Sequence, residues 1–572
     1  MGELNNEKEK SFLLSFVSAV IVFLFITLNK SSENIPEKII ILHTNDIHCQ
    51  IDQKEKDGIV KNIGYAGVSS YKKEMEKLYG AENVTLVDSG DAIQGGPIGT
   101  LSKGKYIVDI MNYIGYDIAV PGNHEYDYGM ENFLKLSKEY SKYFYVCCNF
   151  TDLNGNPILL PYKIINYGDL SIAYLGINTP ESFTKSSPTY FQDENGNYIY
   201  DFAQGGNGKA LYKTVQKYVD KARKEGADYV VALGHLGDTG AAEQWSSKAV
   251  IQNTYGIDIF IDGHSHEVYS KILKNKKDKN VLLAQTGTKL LNLGKITIDT
   301  KKKKISSEFI GNYKLQDKDT LNYITEIKNK FSDVLQKVIA KSDITLTTLN
   351  LETGERAVRN SETNLGDFCA DAYRTAVGAE IAFVNGGGIR ADIEEGEITY
   401  EEIINVHPFG NEICMIETTG QDILDALEVG ACEYPVENGG FLQVSGLKYT
   451  INPNIPSSVV FNERGQFVKV NGKYRVTDVM VGDEPLILNK IYTLASHNYM
   501  IKNGGDGYTM FMDDKLIKDS VVIDNAALIN YIVKNLNGVM GDEYKNPKGN
   551  GRIIIKENIS SNFKSENYKN AA

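Results

Sequence analysis

The sequence predicts an α/β protein of two domains, a layered α/β domain followed by an α+β domain with a helix between them. Three observations lead to this. A short β-branched run ending in polar residues recurs five times before residue 270, helical stretches separate those runs, and Leu315 to Ala340 carries apolar residues at helical spacing without glycine or proline. At roughly 150 residues per domain, 572 residues leave room for two large units. Hydrophobic residues at 42% and charged residues at 24% allow sizeable cores and exclude wholesale disorder. A formal net charge of −13 excludes general attraction to a nucleic-acid backbone, so an anionic substrate needs local positive charge from metal ions or a few arginines.

In chain order, Phe12 to Leu28 is apolar and uncharged, with Lys8 and Lys10 before it and Lys30 after it. Residues 1–38 read as a signal peptide, cleaved or retained as a membrane anchor, which places the mature protein outside the cytoplasmic membrane. Residues 39–314 form the first domain. Its strands are KIIILHTND from Lys38, NVTLVDSGD near 83–91, YDIAVPGNHEYD near 116–127, DYVVALGHLGD near 228–238 and IDIFIDGHSHE near 257–267. Helices are expected over Gly67–Leu78 and Gly208–Glu225, and the polar strand ends should converge on one edge. Lys301–Lys304 reads as a solvated turn between strands. Residues 315–341 are the linker helix, residues 342–556 the second domain, and residues 557–572 a polar tail expected to be disordered. Six scattered cysteines with no C-x-x-C pair indicate small buried thiols rather than a disulfide framework.

Six of the eight histidines fall at the strand ends: His43, His48, His124, His235, His264 and His266. Asp46 and His48 alternate past one strand end, as His264 and His266 do past another, so each pair can grip one ion. With Asp91 and Asn123 the set mixes imidazole, carboxylate and carboxamide donors, which suits Zn, Mn, Fe or Co better than an all-oxygen Ca site. There are enough donors for two ions about 3.5 to 4 Å apart, with Asp91 as candidate bridge, an arrangement that polarises a phosphoryl oxygen and holds water as hydroxide. His124 can pair with Asp127 and act on the phosphoryl oxygens or the leaving alkoxide.

The segments LHTNDIH, DSGDAIQGG, GNHEYDYG, ALGHLGD and DGHSHE, in this order, resemble the calcineurin-like metallophosphoesterases, and among them the 5'-nucleotidase family. The resemblance implies a four-layer α/β/β/α sandwich for the first domain. It further implies one ion held by Asp46, His48, Asp91 and His266, a second held by Asp91, Asn123, His235 and His264, and His124 with Asp127 as the catalytic dyad. His43 would lie behind a ligand rather than be one. Cys49 replaces a common family glycine, and His266 stands where relatives often have glutamine or asparagine, a change that favours Zn over Mg.

In the second domain, NGGGIRADIEEGEIT from Asn385 exposes backbone N–H groups beside Arg390, while HPFGNE and NYMIKNGGDGY set aromatics beside tight turns. Together with VRNSETNLGDFCADAYR from Val358, these resemble the 5'-nucleotidase C-terminal domain, so the likeness covers about residues 39–556. It implies phosphate contacts from Arg359 and Arg390, base stacking by Phe409, a base hydrogen bond from Asn411, a ribose contact from Asp506, and Asn385 near the sugar or phosphate. Tyr499 is the expected second stacking ring, although it lies seven residues before Asp506 where relatives have six, and Met500 occupies the usual place. Arg356 is likewise one residue nearer Arg359 than its family counterpart.

The resemblance thus implies an exported hydrolase taking nucleoside phosphates to nucleoside and phosphate, with two divalent ions (Zn, Mn, Co or Mg), a nucleotide as its partner and no nucleic-acid polymer. Domain movement during turnover is implied as well. A 2',3'-cyclic-nucleotide 2'-phosphodiesterase with 3'-nucleotidase activity and a UDP-sugar hydrolase share every metal motif, and a silent nucleotide-binding surface protein is the alternative outside enzymes.

Overall fold

The computed structural model describes residues 35–56, 58–238 and 242–556. The apolar leader at 12–28 and the polar tail at 557–572 lie outside these residues. Among the described residues no helix is long and apolar enough to cross a membrane.

The five recurrent runs each become a strand, and they divide between two six-stranded sheets. In the first sheet Lys38–Thr44, Val84–Asp88, Ile118–Ala119 and Phe144–Tyr145 run parallel, with Leu293–Asp299 and Lys304–Ile310 added antiparallel at one side. In the second, Leu170–Asn178, Tyr229–His235, Ile259–Ile261 and Asn280–Thr286 run parallel between antiparallel edges Tyr162–Tyr167 and Val268–Lys274. Such runs are apolar on both faces because both faces are covered. Ile39, Ile41 and Val87 of one sheet pack against Val231, Leu233 and Ile259 of the other. The opposite face of the first sheet takes the helices Gly64–Tyr79 and Lys105–Ile114, and that of the second takes Lys209–Lys224. The order of layers is therefore α/β/β/α. Lys301–Lys303 is an exposed turn, with Lys304 opening the edge strand, and all six cysteines are free thiols.

The linker differs from the expected single helix over Leu315–Ala340. A helix spans Lys318–Asn329, capped by the Asp317 side chain, and a single further turn covers Ser332–Leu335. Phe331 breaks the run at φ −122, where its ring packs edge-on against Tyr106 at 5.8 Å. Beyond it, β-branched Val338 and Ile339 begin the strand Val338–Ser342, which pairs with Gly396–Thr399 and Val539–Met540. Tertiary pairing overrides helical periodicity here.

The second domain is built on a five-stranded sheet in the order Leu442–Ser445, Ile381–Asn385, Ile491–His497, Ile413–Thr419, Lys515–Lys518. The helices Asn364–Val377 and Asp524–Asn535 cover one face, and Gly420–Gly430 covers the other. The ends of Ile381–Asn385 and Ile491–His497 are thereby aimed at the first domain.

Candidate active site between the two domains

The loops beyond the strand ends of both sheets are bent by residues in the left-handed region. Asp46, His48, Asp91, His264 and His266 all have φ between 46 and 79. L-residues seldom adopt this conformation, and it concentrates where surrounding contacts force it. Here those contacts are Asp46 N–H to the Gly90 carbonyl and His48 N–H to the Asp91 carbonyl, each at 2.9 Å. The paired side chains thus reach one side through this bend and not through strand alternation.

Two clusters result: Asp46, His48 and His266 in one, and Asp91, His235 and His264 in the other, with the candidate donor atoms of each within 4.8 Å of one another. In the first, His266 Nε2 lies 3.3 Å from Asp46 Oδ1 and 3.1 Å from His48 Nε2. Asp91 Oδ2 is 3.1 Å from His235 Nε2 and 3.9 Å from His48 Nε2, so a single carboxylate oxygen faces both clusters. The Gln94 carbonyl holds His48 Nδ1 at 3.1 Å and the Ser89 carbonyl holds His235 Nδ1 at 2.7 Å, which turns both Nε2 atoms inward. His235 Nε2 and Asn123 Oδ1 are buried without a hydrogen-bond partner of proper geometry. Buried, orphaned nitrogen and oxygen atoms converging with carboxylates are what a cation would satisfy, so the donor set fits divalent metals.

His124 sits at the mouth of this group. Its Nδ1 is 2.6 Å from Asp127 Oδ2, Asp127 Oδ1 accepts from Ser186 Oγ at 2.8 Å, and the His124 N–H donates to Asp91 Oδ1 at 2.9 Å. Burial pulls the His124 pKa down, but Asp127 and Asp91 outweigh it and the net shift is upward.

The second domain faces these residues across a cavity of about 230 Å³ lined by both domains. Arg390 Nη2 comes within 3.5 Å of His48 Nε2 and its guanidinium stands 5.9 Å from the Phe409 ring centroid. Burial, then the neighbouring Arg356, lowers the Arg390 pKa to about 10, and burial with Arg356 and Arg390 lowers that of Arg359. Arg359 Nε is buried without a partner, whereas Arg356 has Glu437 at 3.6 Å. Mutually repelling guanidiniums with a donor to spare form a receptor for an anion. On the far side Asn385 Nδ2 donates to Asp506 Oδ2 at 2.7 Å.

The family model for calcineurin-like phosphoesterases matches residues 39–268, and that for the 5'-nucleotidase C-terminal domain matches residues 338–513. The chain belongs to the 5'-nucleotidase family. It is 28% identical to the 5'-nucleotidase of Diplobatis ommata, covering 92% of this chain and 91% of that one. It is 27% identical to the trifunctional nucleotide phosphoesterase protein YfkN of Bacillus subtilis over 90% of this chain, which spans only 34% of that longer relative. The crystal structure of a 5'-nucleotidase precursor from Thermus thermophilus superposes with a TM-score of 0.74 at 25% identity, covering 91% of this chain and 99% of that one. The protein is accordingly a phosphoester hydrolase.

Within this family arrangement one sequence expectation shifts, while Tyr499 and Asn411 line the cavity as expected. His43 is not behind a ligand: it packs on Gly294 of the paired strand, both ring nitrogens lack hydrogen bonds, and burial drops its pKa to about 3. It is a neutral core residue. Tyr499 rather than Met500 lines the cavity, Met500 being buried in the core. The Tyr499 ring covers Gly505 and stands 5.7 Å from His497, while Phe409 stands 5.6 Å from His124. Asn411 also lines the cavity, its N–H donating to Asp524 at 3.1 Å.

Three polar residues escaped the sequence reading. Glu125, inside the quoted GNHEYDYG, accepts from the N–H groups of Asp91 (2.8 Å), Ala92 (2.8 Å) and Gly122 (2.5 Å) and locks the two loops together. Glu181 Oε2 lies 3.1 Å from His264 Nε2. Lys185 reaches Asp506 at 3.2 Å. Glu181 and Lys185 lie in a segment whose only sequence signal, charge beside an apolar strand, is too common to single out.

Proposed function

We propose that the protein is an exported 5'-nucleotidase that hydrolyses nucleoside phosphates to nucleoside and phosphate. The observation that carries this reading is the Asp91-centred pair of donor clusters facing Arg359 and Arg390 across one cavity. Asp46, His48, Asp91 and His266 would hold one divalent ion, and Asp91, Asn123, His235 and His264 the other. When bound, Zn, Mn, Co or Mg at these positions supplies Lewis-acid polarisation of the phosphoryl group and an acidified water.

The remaining chemistry belongs to the chain itself. Arg359 and Arg390 orient the terminal phosphate with their planar donor forks. His124, kept in one tautomer by Asp127, donates toward the phosphoryl oxygens or the departing alkoxide. Phe409 and Tyr499, which both line the cavity, face the base, Asn411 offers a hydrogen bond to it, Asp506 accepts from a ribose hydroxyl, and Asn385 sits near the sugar or phosphate. Export rests on the leader at residues 12–28.

The test is phosphate release by the full chain after complete metal removal and reloading with Zn, Mn, Co or Mg. Substrates are AMP, ATP, UDP-glucose, 3'-AMP and 2',3'-cyclic AMP. Metal-dependent release from AMP with little from 3'-AMP or the cyclic ester supports the reading. Dominant turnover of the cyclic ester or UDP-glucose would replace it, and nucleotide binding without turnover under any metal would leave a silent binding protein.

A further inference from the structure

The short helix Ser182–Lys185 is the part of the first domain that reaches the sugar side of the cavity. Lys185 Nζ lies 3.2 Å from Asp506 Oδ1, while Asp506 Oδ2 is occupied by Asn385 at 2.7 Å. The surroundings fix both partners. The Tyr499 hydroxyl donates to the Thr184 carbonyl at 2.6 Å and accepts the Asp506 N–H at 3.0 Å, and Asn503 Nδ2 donates to Ser187 Oγ at 2.9 Å. Asp506 itself is held at φ 50 between Gly504 and Gly507, both left-handed. The carboxylate comes from one domain, the ammonium from the other, and both line the cavity.

An ammonium carries three donors, and a carboxylate several acceptor sites, so one mutual contact leaves each with capacity to spare. A hydroxyl set against this pair can donate to Asp506 and accept from Lys185 at once. A methylene group can do neither and leaves both charged groups under-satisfied, a contrast that buried polar sites convert into strong discrimination. The geometry points to Lys185 as a specificity-determining residue that, with Asp506, reads a ribose hydroxyl and selects ribonucleotides over deoxyribonucleotides. This rests on the nucleotide reading of the site given above. Glu181 and Glu433 also face Lys185, so three carboxylates surround one ammonium. A phosphate or cyclic ester on the ribose hydroxyls would meet net negative charge there, which disfavours such substrates as well.

The experiment compares kcat/KM for AMP, 2'-deoxy-AMP and 3'-deoxy-AMP, with p-nitrophenyl phosphate as a sugar-free reference, in the wild type, Lys185→Met and Lys185→Arg. The wild type should prefer AMP over at least one deoxy analogue by about tenfold or more, the range expected for a hydrogen bond to a charged group. Lys185→Met should lower AMP toward the deoxy value, and Lys185→Arg, which keeps the charge and guards against a misfolded methionine variant, should restore most of the preference. A wild type that does not discriminate, or a Lys185→Met ratio equal to the wild-type ratio, would overturn the proposal. So would an equal rise for AMP and both analogues, which would make Lys185 only a latch on Asp506. Hydrolysis of the aryl phosphate with no nucleotide turnover would instead remove the nucleotide reading itself, and this inference with it.

Discussion

Removing the Glu125 carboxylate should dismantle the site from behind without touching any candidate ligand. Glu125 is 1% exposed and accepts the backbone N–H groups of Asp91, Ala92 and Gly122 at 2.5 to 2.8 Å, with a fourth, from Ile93, at 3.4 Å. In Glu125→Ala those donors stay buried and lose their acceptor, at about 1 to 3 kcal/mol each, so the sum is about 3 kcal/mol at the least. That is a large share of the roughly 5 to 15 kcal/mol by which a domain is stable. The loss should also loosen Asp91 from Asn123, because Gly122 is packed so closely that a Cβ there would collide with Asp91 Oδ1. Urea unfolding of the metal-free protein measures the stability term, and metal content after dialysis against a weak chelator measures the second. Glu125→Gln keeps one acceptor oxygen and should fall between the wild type and alanine in both. An unchanged urea midpoint together with full metal content in Glu125→Ala would refute the reasoning.

Four other perturbations separate the parts of the site. Asp91→Asn weakens the carboxylate whose Oδ2 lies nearest both clusters' imidazoles, and metal analysis should find both ions depleted along with most activity. His124→Ala should keep its metal content while kcat falls by about 10² to 10⁴, the usual contribution of a positioned proton donor; a wild-type kcat would remove the dyad assignment. Phe409→Ala should mainly raise KM for nucleotides and spare a small aryl phosphate, and equal losses on both would make Phe409 structural. His407 and His497, buried and held by the Gly388 carbonyl and Asn385, both have pKa values depressed to about 4, chiefly by burial. The unfolded chain then binds more protons than the folded one between about pH 4 and 6.5, so stability is present above pH 6.5 and lost as pH falls through that window. His407→Gln should flatten the dependence of the urea midpoint on pH there, and a slope equal to wild type would contradict it.

Much of this was legible in the sequence because the signal was redundant. Five strands that are apolar on both faces and end in histidine or aspartate give the layered fold and the donor list together, and every one of those residues except His43 reaches the cluster region. His43 failed because position within a motif does not say which way a strand residue points: in the register it faces Gly294, whose missing side chain makes room for the ring. The linker failed because a period of 3.6 in Lys318–Asn329 runs on by chance into residues that a neighbouring strand recruits. Glu125, Glu181 and Lys185 were not legible, since each matters through a partner distant in sequence or through backbone N–H groups, and neither leaves a spacing to read.

The same features explain why such a site exists only with a scaffold around it. Left-handed φ at Asp46, His48, Asp91, His264 and His266 costs backbone energy, about 1 to 3 kcal/mol for each strained residue. Orphaned atoms at His235 and Asn123 add a desolvation cost. Neither is offset by contacts within the loops, which lie beyond the ends of the strands. The compensation lies in the apolar layer between the sheets, in Glu125 behind the loops and, when ions are bound, in coordination itself, since ligand binding to the folded state alone stabilises it. Cations on one wall and a phosphate on the other would offset both costs. The two halves of the cavity therefore favour the bound state for the same electrostatic reason, with opposite sign.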